Sequence, residues 1–266
     1  MKKNQTCAVI LFVAMTCMIL SVTTSAPLTK AESQNAPTSI ATATDYERAY
    51  PHVFTRHGPA VKKIALTFDD GPDLVYTPKI LDILKKEGVH ASFFVLGMNA
   101  ARYPAIIRRI VNDGHTLGNH SFDHINLALS HKEKIDWEVL ATEQVLTRIV
   151  GKQPRWFRAP YGNVSPLVLT ELHRMGYRAV NWSVDSNDWR SLPAHKVKDN
   201  ILQNVAPGAI ILQHSAAGGP NENLSGTVRA LTDIIRTLKK NGYQLVTVPQ
   251  LLTPDSRIVH AKPHTH

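Results

Sequence analysis

From residue 63 to about residue 248 the chain alternates two kinds of hydrophobic patterning. Short runs rich in β-branched and aromatic residues predict strands at 63–68, 91–96, 115–118, 155–158, 178–184, 209–213 and 244–248. Between them lie amphipathic stretches with helix punctuation. Thr77 followed by Pro78 opens one and Gly88 closes it, Ser130 with Glu133 reads as a capping box before a helix that stops at Gly151, and Ser165 with Pro166 opens another that ends near Gly176. Strand–helix alternation of this kind predicts a parallel sheet with crossover helices. Seven such units in about 190 residues suit a closed or nearly closed barrel, and no Gly-x-Gly-x-x-Gly follows any strand. The expected fold class is therefore α/β, a distorted (β/α)7 barrel forming a single catalytic domain over residues 61–253.

The ends of the chain are patterned differently. Lys2 and Lys3 precede an apolar run over residues 7–22, and Thr23, Thr24, Ser25 and Ala26 follow, so residues 1–26 read as a signal peptide. An uncleaved N-terminal anchor is the alternative, since Pro27 would hinder cleavage after Ala26. Cys17 lacks the small-residue context of a lipid-attachment site. Residues 27–60 have neither helical nor strand period and are expected to be a linker and lead-in segment, and residues 254–266, with His260, His264 and His266, a polar tail.

Composition narrows the chemistry. Across 266 residues, 43% apolar and 19% charged content supports a real core, which excludes a disordered chain or a stapled miniprotein. The net charge of +9 fits anionic partners such as nucleic acid, wall polymer or acidic lipid. Both cysteines, Cys7 and Cys17, sit in the leader, so the remainder has no thiol for a disulfide, a Cys-ligated metal or a nucleophile. The chemistry must use oxygen and nitrogen.

In a βα barrel, working residues collect where strands end. Asp69 and Asp70 follow the first predicted strand in Thr67-Phe68-Asp69-Asp70-Gly71-Pro72, and His120 and His124 follow the third in His-Ser-Phe-Asp-His. Arg158-Ala159-Pro160-Tyr161 follows the fourth, Asp185-Ser186-Asn187-Asp188-Trp189 the fifth, and Leu212-Gln213-His214 ends the sixth. Each piece alone has a structural reading: a turn, a chance spacing among 13 histidines, a rim ion pair. Together they make a metal-centred site. On a helical turn, His120 and His124 would present both imidazoles to one side and, with Asp70, form a two-histidine, one-carboxylate set suited to Zn or a related divalent ion. Asp69 is typed as a general base, Arg158 as its partner, and His214, kept protonated by Asp188, as a general acid. Asp123 reads as solvated rather than ligating.

These five ordered segments closely resemble the polysaccharide deacetylases of carbohydrate esterase family 4, over roughly residues 61–253. The resemblance implies a distorted seven-stranded barrel that removes acetyl groups from N-acetylated amino sugars. It implies Asp69 as base, Asp70, His120 and His124 as ligands of a divalent metal (Zn, Co or another ion), Arg158 as partner of the base, and Asp188 tethering the acid His214. It further implies that the Tyr161 backbone N–H binds the oxyanion and that Trp189 and Leu212 wall the acetyl pocket. Some relatives carry an oxidised proline, which would fall at Pro160.

For partners, an exported, cysteine-free, basic chain favours a peptidoglycan-type cell-wall glycan, with chitin oligomers or a biofilm glucosamine polymer as alternatives and nucleic acid set aside. The expected location is extracytoplasmic, secreted or anchored by an uncleaved leader, and the expected state a monomer. Two rivals stand: an iron-dependent oxygenase, which has no use for Asp69, Arg158 and His214, and a catalytically silent wall-binding protein.

Overall fold

The computed structural model describes residues 42–219 and 221–253, which fall within one compact unit. The leader, the start of the linker and the histidine-bearing tail lie outside the described residues.

The central strand is β2 (Lys63–Asp69), buried along nearly its whole length. Its alternate residues serve two environments. Ile64, Leu66 and Phe68 pack outward in the main core, while Ala65 joins an inner cluster and Thr67 and Asp69 rise above it on the same face. The inner column therefore changes from apolar to reactive as it climbs toward the strand's C-terminal end.

Helix α2 (Thr77–Glu87) follows, then β3 (Ser92–Val95), α3 (Gly97–Arg102), α4 (Pro104–Asn112) and β4 (Thr116–Asn119). Helix α5 (Lys132–Val150), β5 (Trp156–Phe157), α6 (Pro166–Arg174), β6 (Arg178–Val180) and β7 (Val184–Asp185) come next. The chain closes with α7 (Ala194–Leu202), β8 (Ile210–His214), α8 (Ser225–Lys240), β9 (Gln244–Val246) and α9 (Val248–Leu252). All strand pairings between these elements are parallel, as the alternating pattern predicts. Along the sheet β6, β5, β4, β3, β2, β8 and β7 are neighbours, with β9 pairing the lower half of β2.

The predicted strand at 178–184 is two short strands with different partners. β6 pairs with β5, whereas β7 pairs with β8, so one continuous run of chain bridges the two ends of the sheet. Asn181 N–H donates to Thr55 and Ser183 N–H to Ile210, marking the change of side. This is the distortion in the barrel.

The 27–60 stretch carries more structure than its pattern suggests. Residues Ala43–Ala49 form α1, capped by Thr42, and Phe54–Thr55 form β1, which pairs with β6. Two residues of strand are too short to show a period. Helix punctuation is met at Gly88 and Gly151, both left-handed C-caps, and at Ser165, whose hydroxyl accepts from Val168 N–H. Ser130 is a correction: its hydroxyl donates back to the Asn126 carbonyl, and His131 is the N-cap of α5.

Candidate active site

Five strand ends converge on a cavity of about 520 Å³. Parallel register sets the levels: Asp69 pairs with His214 across β2 and β8, Leu212 with Asp185 across β8 and β7, and Asn119 with Phe157 across β4 and β5. Asp69, Asp70, His120, His124, Tyr161, Trp189, Leu212 and His214 all line the cavity, and Arg158 and Asp188 lie buried behind it. Every sequence-predicted site residue is thus at one place.

Arg158 is fully enclosed, stacked over Phe94 at 4.3 Å. Its Nε and Nη2 donate to the carbonyls of Val180 and Asn181, and Nη1 donates to Thr67 Oγ1 and, at 2.8 Å, to Asp69 Oδ1. Burial pulls the guanidinium down from its usual range while Asp69 works against it. The fork is fixed on three sides, so it holds Asp69 in one orientation with Oδ2 left toward His120, 3.8 Å away.

Asp70 turns the other way because its own backbone is left-handed (φ 68°). Gly71 follows where a Cβ would collide with the Ser215 hydroxyl, which explains a glycine in this turn. Asp70 Oδ1 is buried, lies 3.3 Å from His120 Nε2 and 3.4 Å from His124 Nε2, and makes no aligned hydrogen bond. Burial raises its pKa, but the His120 imidazole, with His214 and His124 behind it, outweighs burial and holds the carboxyl at about 2.

The histidine pair meets by a route the four-residue spacing did not indicate. Residues 120–126 are not helical; Ser121 (φ 71°) and His124 (φ 66°) are both left-handed, and this loop, not a helical turn, brings the rings to 5.1 Å. Such backbone persists in non-glycine residues only where the surroundings hold it. His120 Nδ1 donates to the Arg158 carbonyl at 2.7 Å, since a carbonyl can only accept; in the neutral ring that a metal ligand requires, Nε2 therefore carries the lone pair and faces Asp70. Ligand atoms of Asp70, His120 and His124 lie within 4.8 Å of one another. A buried, unbonded carboxylate oxygen between two imidazole nitrogens is a donor set that fits a divalent cation. Asp123 is partly exposed, 4.0 Å from Lys134, and does not join the set.

On the opposite wall, His214 Nδ1 meets Asp188 Oδ1 at 2.7 Å, while Asp188 Oδ2 accepts from His214 N–H and the Thr227 hydroxyl. Burial lowers the His214 pKa, but Asp188 outweighs it, with Asp70 and Asp69 adding to the rise, and the imidazolium persists to about 10. Tyr161 is left-handed (φ 60°) in the turn after Arg158, and its ring packs edge-on to His124 at 4.6 Å. Trp189 and Leu212 line the same cavity as His214.

The cavity also contains residues that the motifs left without a role. Asp185 lines it with a carboxyl raised by burial, Trp182 comes from the segment where the sheet changes partner, and Gly218 and Glu222 approach from the loop after β8. Nothing in the spacing marks Glu222; its carboxylate is tied to Gly218 N–H within an aperiodic loop.

The site is that of a hydrolase, with a carboxylate fixed by Arg158 and an imidazole fixed by Asp188 beside three residues able to hold a metal ion. Comparison with known proteins gives the family. Residues 56–180 match the polysaccharide deacetylase family profile. A Bacillus cereus peptidoglycan-N-acetylglucosamine deacetylase is 44% identical over 203 residues, spanning 76% of this chain and 72% of its own. An Azorhizobium caulinodans chitooligosaccharide deacetylase is 37% identical, spanning 70% of this chain and 92% of its own. Among solved structures, the Bc1960 peptidoglycan N-acetylglucosamine deacetylase matches at TM-score 0.74 and 41% identity, over 78% of this chain and 96% of that one. The chain belongs to the polysaccharide deacetylase family. Another match, BA3943 from Bacillus anthracis, is described as a pseudoenzyme of the CE4 family and is similar at TM-score 0.70 and 28% identity, over 76% of this chain and 69% of that one. Activity must therefore be argued from side chains.

Proposed function

We propose that this chain is a divalent-metal-dependent hydrolase that removes acetyl groups from N-acetylglucosamine residues of a cell-wall glycan, most directly peptidoglycan. One observation carries the reading: a carboxylate fixed by Arg158 and an imidazolium fixed by Asp188 flank the Asp70, His120 and His124 set in one cavity. An oxygenase needs the ligand set alone.

Zn²⁺ suits two imidazoles and one carboxylate. A divalent ion held there supplies Lewis acidity toward an acyl oxygen and acidifies water. The residues of the chain do the rest. Asp69, held through Oδ1, accepts a proton at Oδ2 from the attacking water. His214 donates its Nε2 proton to the departing amine nitrogen, with Asp188 stabilising the charged ring until then. The Tyr161 backbone N–H is assigned to the developing oxyanion, and Trp189 and Leu212 to the acetyl methyl. Base and acid sit at the same register level on adjacent strands, so both can reach one scissile amide bound in the cavity they share.

The peptidoglycan preference is supported by relatives of that name and by the basic charge of the chain, and its work outside the cytoplasm by the pattern of residues 1–26. The test is acetate release from peptidoglycan fragments beside chitin oligomers, with metal-loaded protein. Faster release from peptidoglycan is expected; faster release from chitin oligomers would move the substrate to the alternative, and none from either would favour a silent wall-binding protein.

A further inference from the structure

The loop that carries both ligand histidines is held from outside by one carboxylate. Its amides are accounted for in order. His120 N–H donates to the Val95 carbonyl, Ser121 N–H to Asn119 Oδ1, and His124 N–H to Ser121 Oγ. The two amides between them, Phe122 and Asp123, both donate to Glu138 Oε2, at 2.8 and 3.2 Å. From the other side, Gly97 and Met98 N–H at the start of α3 donate to the Ser121 and Phe122 carbonyls.

Glu138 lies in the middle of α5 with no exposed surface, its other oxygen 2.6 Å from Lys134 Nζ. Burying a carboxylate costs several kcal/mol, and here that cost is offset by two backbone amides and an ammonium. The two N–H groups it accepts from lie between the left-handed residues Ser121 and His124, whose conformation turns the two imidazoles toward Asp70. We infer that Glu138 is a positioning residue for the metal site: its carboxylate clamps the 120–124 loop in the strained form that presents both imidazoles. This rests on the metal-dependent reading of the cavity. It follows that Glu138 contributes to affinity for the ion without touching it, in the way outer partners of metal ligands do.

The experiment is titration of metal-free full-length protein with Zn²⁺ against a competing chelator, for the native chain, Glu138→Ala and Glu138→Gln. Glu138→Ala is expected to bind about 10- to 100-fold more weakly. Glu138→Gln, whose amide oxygen still accepts, is expected to recover part of that loss. A folded Glu138→Ala protein that binds as tightly as the native chain overturns the inference, as does a Glu138→Gln protein no better than Glu138→Ala. Should Glu138→Ala not fold, amide hydrogen exchange in the native metal-free protein decides: Phe122 and Asp123 are expected to exchange slowly, and exchange as fast as an unprotected peptide amide overturns it. A native chain that binds no divalent ion refutes the metal reading instead, and the exchange rates still judge the clamp.

Discussion

Replacing Asp188 by asparagine changes one charge and almost no volume, and its effect on the pH profile is calculable. In the native protein His214 holds its proton to about 10, against 6.5 for a free imidazole, and its nearest opposite charge is Asp188 Oδ1 at 2.7 Å. At an effective dielectric of about 20, unit charges about 4 Å apart attract by about 4 kcal/mol, or roughly three pH units at 1.36 kcal/mol each. Asp188→Asn is therefore expected to bring His214 down by about that much, to near neutrality. The amide oxygen can still accept from Nδ1, but the NH2 then replaces the oxygen that accepted from His214 N–H and the Thr227 hydroxyl, so a lower rate is expected beside the shift. A dication in the cavity opposes the support from Asp70 and Asp69 and lowers both alkaline limbs, but not their difference. The assay is kcat/KM for acetate release as a function of pH with metal-saturated protein, which reports the free enzyme's groups. An alkaline limb moved down by about three units is expected. A variant with a uniformly lower rate and an unmoved limb would refute the assignment of His214 as an acid held protonated by Asp188.

Four further outcomes follow from the same contacts. The raised His214 adds stability that is complete below 6.5 and is lost as pH climbs toward 10, so Asp188→Asn should lower Tm more at pH 6 than above pH 10. His115 is depressed to about 4 by burial and by His90, so its neutral form supports the fold above 6.5 and that support is lost as pH falls from 6.5 toward 4; His115→Gln should flatten this acid limb in a Tm series. Arg158→Ala leaves Asp69 buried without its cation and should cost about 3–5 kcal/mol in urea unfolding, with activity lost as well. His120→Ala should lose the ion in equilibrium dialysis, whereas a metal-replete His120→Ala protein would contradict its ligand role.

Much of this site was legible because the barrel turns linear sequence into layers. Alternation along 63–69 gives the inward column Ala65, Thr67 and Asp69, and the polar residues at five strand ends must then meet on one face. What was not legible depends on backbone detail that residue types do not encode. His120 and His124 have a spacing that a helical turn and a loop with two left-handed residues satisfy equally, and only the second occurs. The 178–184 run has strand composition throughout, but its pairing partner changes in its middle from β5 to β8, a tertiary choice that composition does not mark. Glu138 reads as one more charged residue on an amphipathic helix, since its partners are backbone amides far away in sequence. Glu222 reaches the cavity from a loop with no period at all.

The central claim is that Asp69 removes the proton of the attacking water beside an ion that Asp70, His120 and His124 hold. Mass spectrometry of peptidoglycan fragments incubated with the native chain and with Asp69→Asn, each with its bound metal quantified, tests it directly. The native chain is expected to remove one acetyl mass per modified sugar, and Asp69→Asn to keep its metal while losing turnover by about 10²- to 10⁴-fold. Full turnover by Asp69→Asn, or loss of its metal together with its activity, would contradict the account.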